Sequence, residues 1–401
     1  MSNTFTGGVF PDYSELKRKT PVTPADPESV TLRIPDGYST RVRGGETVFI
    51  GTVLADGDGA ALLSGISGTV SLSGGFVTVK NDYLGRLSPA LHPAEKRISE
   101  MSGDELRDAL HVMGVPTPSV PSKKPAECII ADCCEPDTGT VSAAATVFDR
   151  AEAVAGGLRI FMKLTGTAKG YLAVPRHMHA CADELSGHAD GRLVKIKTVS
   201  DKYPQHEPHM LVSALFNLEI NPLTDTGKAG YPVIPAEVCA AAFDALAKGI
   251  PYTSSYITVS GIGRTAGVYS VPFGTEIKSL PALCGSADGG IVFTGGEMTA
   301  KEVSDGEYTS PGVFAVSVAA EKAPEKPEAH ECTDCGRCAA VCPVRLLPSL
   351  IYGCRDTGKA AKAGAEYCIS CGCCDRVCPA GIELRAVISE MKKEMKKEVT
   401  A

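Results

Sequence analysis

Between residues 30 and 80, apolar and polar positions alternate in short β-branched runs, "VTLRIP", "ETVFIGTVLADGDG" and "SGISGTVSLSGG", separated by glycine turns. Runs of this length with a period of two predict strands, and their spacing predicts a small all-β barrel or sandwich. From about residue 100 the period lengthens. "SGDELRDALHVMG" and "TVFDRAEAVAGGLRIFM" repeat apolar residues at helical spacing, while "ECIIAD" and the segment around "RLVKIKTVS" read as strands. Helix and strand alternating from about 100 to 235 predict an α/β layer. Beyond it, "PAEVCAAAFDALAKGIP" is an amphipathic helix and "YITVSG", "GVYSVPFGTEI" and "GGIVFTGG" are strands, so 236–318 reads as a compact α+β unit.

"AAEKAPEKPEAH", residues 319–330, has no apolar period and is rich in Ala, Pro, Glu and Lys, which predicts a linker. The terminal "GIELRAVISEMKKEMKKEVTA" has helical spacing and then a Lys/Glu run. Its Glu residues interrupt the positive face, so a solvated helix is expected there and not a membrane foot. The predicted organisation is an N-terminal extension and β barrel over 1–95, the α/β layer over 96–235, the α+β unit over 236–318, the linker, and a cysteine-rich domain over 331–401.

A net charge of −7 opposes a nucleic-acid surface, which needs a concentrated excess of Lys and Arg. The opening "MSNTFTGGVF" lacks the basic and apolar blocks of a signal peptide, and no apolar run approaches the roughly 18 residues of a membrane span. A cytoplasmic chain without a direct span is expected. In that setting 16 cysteines suit metal binding better than disulfides, and ten of them fall between 332 and 378.

Cys332, Cys335, Cys338 and Cys342, followed by Pro343, read C-x-x-C-x-x-C-x-x-x-C-P; Cys368, Cys371, Cys374 and Cys378, followed by Pro379, repeat it. This is the bacterial ferredoxin run, in which three close thiolates hold one 4Fe-4S cluster and the fourth ligates the other. Cluster one is therefore assigned to Cys332, Cys335, Cys338 and Cys378, and cluster two to Cys368, Cys371, Cys374 and Cys342. Structural zinc uses paired C-x-x-C hooks and not two full quartets ended by Pro. Cys373 opens an alternative register to Cys374, but only Cys374 keeps the first motif's spacing. Cys354, Cys128, Cys133, Cys134, Cys181, Cys239 and Cys284 lack ligand spacing and read as structural thiols. His177, His179, His188, His206 and His209 form no zinc-like quartet with cysteine.

In this order of units, the chain resembles the RnfC family, the C-type component of the Rnf ion-translocating electron-transport complex. "FTGGVFPDYSELKRKTP" is similar to the family's F-x-G-G-x-x-P opening, and "SGISGTV" to the glycine turn of its biotinyl-like barrel. "DKYPQHEPHMLV" is similar to its T-K-Y-P-x-G stretch, "DCCEPDTG" to its E-C-E-P, and "FTGGEMTA" stands where it has G-G-P-M-M-G. The resemblance implies a multidomain α+β fold. It comprises a biotinyl-like β barrel-sandwich, a complex I flavin-subunit-like α/β layer, a β-grasp (SLBB-like) unit and a double-cluster ferredoxin-like helical domain.

It also implies FMN and NADH, with Gly114, Glu135 and Lys202 as the residues of this chain toward them. Family members carry a loop close to G-x-G-G-A-G-F-P-T after the first helix, where glycines let amide groups approach phosphate. Here the stretch is "HVMGVPTPSVPSKK": Gly114 stands alone, and Pro116, Pro118 and Pro121 have no amide hydrogen to donate. That depletion opposes FMN and NADH binding, and with it NADH dehydrogenase activity. The expected function is relay of single electrons through two 4Fe-4S clusters, with other redox subunits as partners. Integral membrane Rnf-type subunits would hold the chain peripherally on the cytoplasmic face. Two alternatives are an FMN-bearing NADH:acceptor oxidoreductase subunit and a soluble electron-transfer adaptor of a reductase.

Overall fold

The computed structural model describes residues 4–11, 19–121, 125–261, 264–285, 290–319, 330–354 and 356–400, without the side chains of 264–266 and 397–400. Residues 12–18 of the opening stretch and 320–329 of the expected linker lie outside the described residues.

The centre of the molecule is a parallel α/β layer. A helix α1 (Gly103–Val112) leads into β1 (Ile129–Asp132), α2 (Ser142–Thr165), β2 (Gly170–Pro175), α3 (His179–Ser186), β3 (Val194–Val199), α4 (Pro208–Phe216), β4 (Val233–Pro235) and α5 (Ala236–Lys248). Helix α1 starts at a reciprocal cap: the Glu105 amide donates to the Ser102 hydroxyl, and the Ser102 amide donates to the Glu105 carboxylate. The four strands lie in the order β3-β2-β1-β4, all parallel. The chain builds outward from β1 to β3 and then returns to the other side of β1. This puts the topological switch point at the carboxyl ends of β1 and β4, where open α/β sheets bind ligands. Asp132 and Pro235 are register partners there.

Helix α5 packs on α2 of this layer, so the layer's packing runs past residue 235. The contact is close because it is built on small residues. Ala153, Leu158 and Phe161 of α2 and Cys239, Ala240 and Ala242 of α5 are buried. A Cβ at Gly157 would stand 1.7 Å from the Cys239 carbonyl oxygen. Arg150 ties the two helices by an ion pair with Asp244 at 2.5 Å.

On one side lies the N-terminal unit, a four-stranded antiparallel sheet (Ser29–Arg33, Phe76–Asn81, Gly68–Ser73, Thr47–Val48) facing a three-stranded one. Its alternating valines, Val30, Val70, Val77 and Val79, point inward, as their period of two requires. On the other lies a mixed six-stranded sheet. Its edge strand Val22–Pro24 comes from the N-terminal segment and pairs in parallel with Arg264–Pro272. The cysteine-rich end carries short helices, Arg337–Val341, Pro348–Tyr352, Thr357–Lys362 and Cys373–Arg376, and the longer Leu384–Thr400. Among the described residues no helix is long and apolar enough to cross a membrane.

Replacing Gly157 with Ala forces α2 and α5 apart. Stability is expected to fall by about 1–3 kcal/mol, the usual cost of overpacking. Urea unfolding measures it, and an unchanged midpoint would show that the helices can separate freely.

Candidate metal centre

The two cysteine loops repeat each other in backbone conformation as well as in sequence. Asp334 and Ser370, each two residues after the first cysteine of its run, have φ of 52° and 56°; Gly336 and Gly372 follow at 71° and 79°. Arg345 and Gly381, three residues after each Cys-Pro cysteine, have φ of 57° and 66°. Left-handed backbone at non-glycine residues is costly. It recurs here at the same 36-residue offset, as a shared loop geometry demands. Gly336 and Gly372 then open the short helices Arg337–Val341 and Cys373–Arg376.

In these loops amide groups point at sulfur. The Leu346 amide donates to Cys342 Sγ at 3.3 Å and the Ser370 amide to Cys368 Sγ at 3.4 Å. The Arg337 amide beside Cys335 is the chief influence holding that thiol below its usual value.

The fourth cysteine of the first run sits with the second run. Cys342 lines one cavity together with Cys368, Cys371 and Cys374, with Pro343, Leu346 and Ile388 among the other walls. Burial pushes the Cys342 thiol up to about 11, and the neighbouring Cys371 and Cys368 add to the shift. Conversely, Cys378 of the second run packs in one apolar cluster with Cys338 of the first. Cys332 and Cys335 are exposed. Cys373 also reaches the cavity wall, but it is fully buried and packs on Tyr203 and Met298. Among the described residues no group of three or more His, Cys, Asp or Glu side chains is gathered to hold a metal ion. A cubane asks for a looser set, because each of its four thiolates meets a different iron. The donor chemistry and the crossed pairing of the runs fit two such clusters.

The second loop is pressed against the rest of the molecule by segments far apart in sequence. The Tyr203 hydroxyl donates to the Cys371 carbonyl at 2.8 Å. A Cβ at Gly372 would lie 2.4 Å from the Met298 carbonyl oxygen. The N-terminal arm threads between: the Gly8 amide donates to Val341 O, and Val9 and Tyr203 exchange backbone hydrogen bonds at 3.0 and 2.9 Å. Met298 is positioned by Asp137, whose buried carboxylate accepts from the amides of Thr138, Met298 and Thr299 and from the Thr299 hydroxyl. From the terminal helix, the Arg385 guanidinium reaches the carbonyls of Thr299 and Ala300. The stretches "FTGGVF", "EPDTG", "DKYPQH" and "FTGGEMT" thus meet at one junction, which no local spacing announces.

The three residues considered for a flavin are held in three different ways. Glu135 accepts from the Thr140 hydroxyl and the amides of Ala143 and Ala144, so its carboxylate closes the N-terminus of α2, where Val141 offers no side-chain cap. Burial raises its pKa against these hydrogen bonds. Lys202 donates to Phe5 O at 2.7 Å, and its ammonium lies over the rings of Phe5 and Phe10. Gly114, at φ of 73°, is backed by Leu63 and the carbonyls of Tyr252 and Ala61. None of the three presents a group to a flavin, and the proline-bearing loop after Gly114 offers few amides. These residues do not fit a flavin-phosphate cradle.

At the switch point Asp132 accepts from the Cys134 amide. Burial nonetheless pushes its pKa up to about 7, with the charges of Glu135 and Glu207 contributing. His206 is held down to about 4 by burial, so it is neutral near pH 7 beside the Tyr203 ring.

A parallel layer with this order marks the chain as a protein with a complex I flavin-subunit-like domain: the family model for the Nuo51 FMN-binding domain (Complex1_51K) matches residues 113–242. The chain is, further, an RnfC-like protein, similar along most of its length to the RnfC components of ion-translocating oxidoreductase complexes. It is 25% identical over 384 residues to the RnfC-type component of the Na(+)-translocating ferredoxin:NAD(+) oxidoreductase complex of Acetobacterium woodii, covering 86% of each chain. It is 24% identical to the corresponding component of the proton-translocating ferredoxin:NAD(+) oxidoreductase complex of Clostridium ljungdahlii, covering 90% of this chain and 87% of the relative. A shorter match of 121 residues, at 35% identity, links it to the equivalent component of the ion-translocating oxidoreductase complex of Methanosarcina acetivorans, covering 29% of this chain and 27% of the relative. Among solved structures, a chain of an NAD+-reducing [NiFe]-hydrogenase in the H2-reduced state aligns with 77% of this chain and 67% of its own, at TM-score 0.47 and 16% identity.

Because Asp132 titrates higher when folded than its unfolded value of about 3.9, the native state keeps a proton that the unfolded chain releases. Its contribution to stability is complete below pH 4 and is lost as pH climbs through about 7. Asp132→Asn is expected to flatten that decline in urea unfolding between pH 4 and 8. Parallel wild-type and variant curves would remove Asp132 as the source.

Proposed function

We propose that this chain is an electron-transfer subunit that relays single electrons through two 4Fe-4S clusters. Cys332, Cys335, Cys338 and Cys378 would hold the first cluster, and Cys368, Cys371, Cys374 and Cys342 the second. The observation that carries this reading is the crossed pairing, in which Cys342 shares a cavity with the second run and Cys378 packs with Cys338. The clusters supply one-electron chemistry. The chain's own residues aim amides at the sulfurs, exclude water from the second set and hold the two loops on one small domain.

The relatives' names support a place in an ion-translocating oxidoreductase complex. We therefore propose partner redox subunits, integral membrane ones among them, and a peripheral position on the cytoplasmic face. In this reading residues 1–95 form a biotinyl-like barrel-sandwich and 236–318 an SLBB-like β-grasp unit. With the flavin-subunit-like layer of 96–235 they form the scaffold on which 331–401 docks through 319–330. The engagement of Glu135 and Lys202 favours a layer that no longer uses FMN or NADH. The match to an FMN-binding domain keeps an alternative open, an FMN-bearing NADH oxidoreductase subunit.

Anaerobic purification with iron, sulfide and flavin quantified tests both. Two cluster signals in electron paramagnetic resonance and no flavin are expected. Stoichiometric flavin bleached by NADH would favour the alternative, and colourless zinc-bearing protein would end both. Cys335→Ser and Cys371→Ser should each remove a different cluster signal, whereas Cys373→Ser should leave both. Loss of a cluster in the last variant would move the ligand from Cys374 to Cys373.

A further inference from the structure

The two cysteine runs are alike in sequence and backbone, yet their surroundings differ. Cys332 and Cys335 are exposed, and Asp334, between them in the first loop, lies near Cys332 Sγ at 3.7 Å. The second loop is covered. At the matching position stands Ser370, which shares a hydrogen bond with Ser389 of the terminal helix. The following Cys371 and Gly372 are met by Tyr203 and Met298.

Tyr203 is held at both ends. Its ring is only 2% exposed. Its backbone is paired with Val9 in both directions, and its hydroxyl ends on the Cys371 carbonyl. Burial raises the phenol's pKa above the ordinary value, so the group remains a proton donor at any working pH. Cys373, fully buried, packs on the same residue.

We propose that Tyr203 is the positioning residue of the second cluster: it clamps the second loop to the α/β layer and sets that cluster's reduction potential, leaving the first cluster untouched. This rests on the reading of Cys342, Cys368, Cys371 and Cys374 as a 4Fe-4S ligand set.

Two opposing effects meet at this residue. Reduction adds negative charge to a cluster. A fixed O–H dipole with its positive end toward the loop carbonyl next to a ligand sulfur favours that charge, as hydrogen bonding near the sulfurs does in general. The ring, by shutting out water, disfavours it. The two are separable by substitution. Tyr203→Phe keeps the ring and removes the dipole, leaving the Cys371 carbonyl without its donor, so the second potential falls. Tyr203→Ala removes the ring as well and admits water, so the second potential moves upward from that of Tyr203→Phe and the loop loosens.

The experiment is an anaerobic redox titration of the cluster-loaded full chain, followed by electron paramagnetic resonance. The signal lost in Cys371→Ser identifies the second cluster. Expected are a negative shift of that midpoint alone in Tyr203→Phe, a recovery toward or above wild type in Tyr203→Ala, and faster iron release from that site to a chelator in both variants. The inference is overturned by unchanged midpoints and release rates, or by equal shifts of both clusters, which mark a merely structural effect. If Cys371→Ser removes no cluster signal, the underlying reading of the ligand set fails instead. If Tyr203→Ala does not fold, the Tyr203→Phe shift decides alone.

Discussion

The buried carboxylate of Asp137 is the constraint on which the arrangement rests. It is 1% exposed and faces no cation in the hydrogen bonds that hold it. Its charge is instead met by three amides and a hydroxyl, from Thr138, Met298 and Thr299. A buried anion is tolerable only when its lone pairs are satisfied in this way. Satisfying them brings the loop at 295–300 down onto the end of the α/β layer. Met298 then meets Gly372, and Arg385 of the terminal helix reaches the same loop. One charge thereby organises contacts among three units.

Much of the local structure was legible in the chain. The period of two in "VTLRIP" and "SGTVSLS" and the helical period in "ELRDALHV" gave the strands and helices, because those patterns depend only on which neighbours share a face. The cysteine runs were legible for the same reason: the left-handed turns at Asp334, Gly336, Ser370 and Gly372 lie within each run. What spacing could not reveal were contacts of large sequence separation. The bond from Tyr203 to Cys371 spans 168 residues, and those from Asp137 to Met298 and Thr299 span 161 and 162. Their polar groups carry no periodic signal. The quoted stretches at 5–11, 135–139, 202–206 and 293–300 each looked like a separate motif, and folding makes them one.

Glu135 shows how a motif residue can change meaning once its surroundings are known. In sequence it is a carboxylate near a glycine, a plausible neighbour for a nucleotide. In the fold it answers the unpaired amides of α2, a helix that begins at Ser142 with no cap of its own. A signal was present, since an acidic residue shortly before a helix start favours the positive end of its dipole, but the loop between them hid it. Lys202 is parallel. Its ammonium is drawn to two phenylalanine faces of the N-terminal arm, an arrangement set by chain threading and not by local order.

The unequal cover of the two cysteine loops bears on how the protein matures. The thiols near the first loop's tip remain open to solvent in the finished fold, so iron and sulfide can be delivered there late. The second set lies behind the arm at Gly7 and Gly8, the Tyr203 turn and the Met298 loop, and a carrier can reach it only before these segments close. Assembly of this chain is therefore ordered in time: the inner site is filled while the body is still open, and the outer one afterwards.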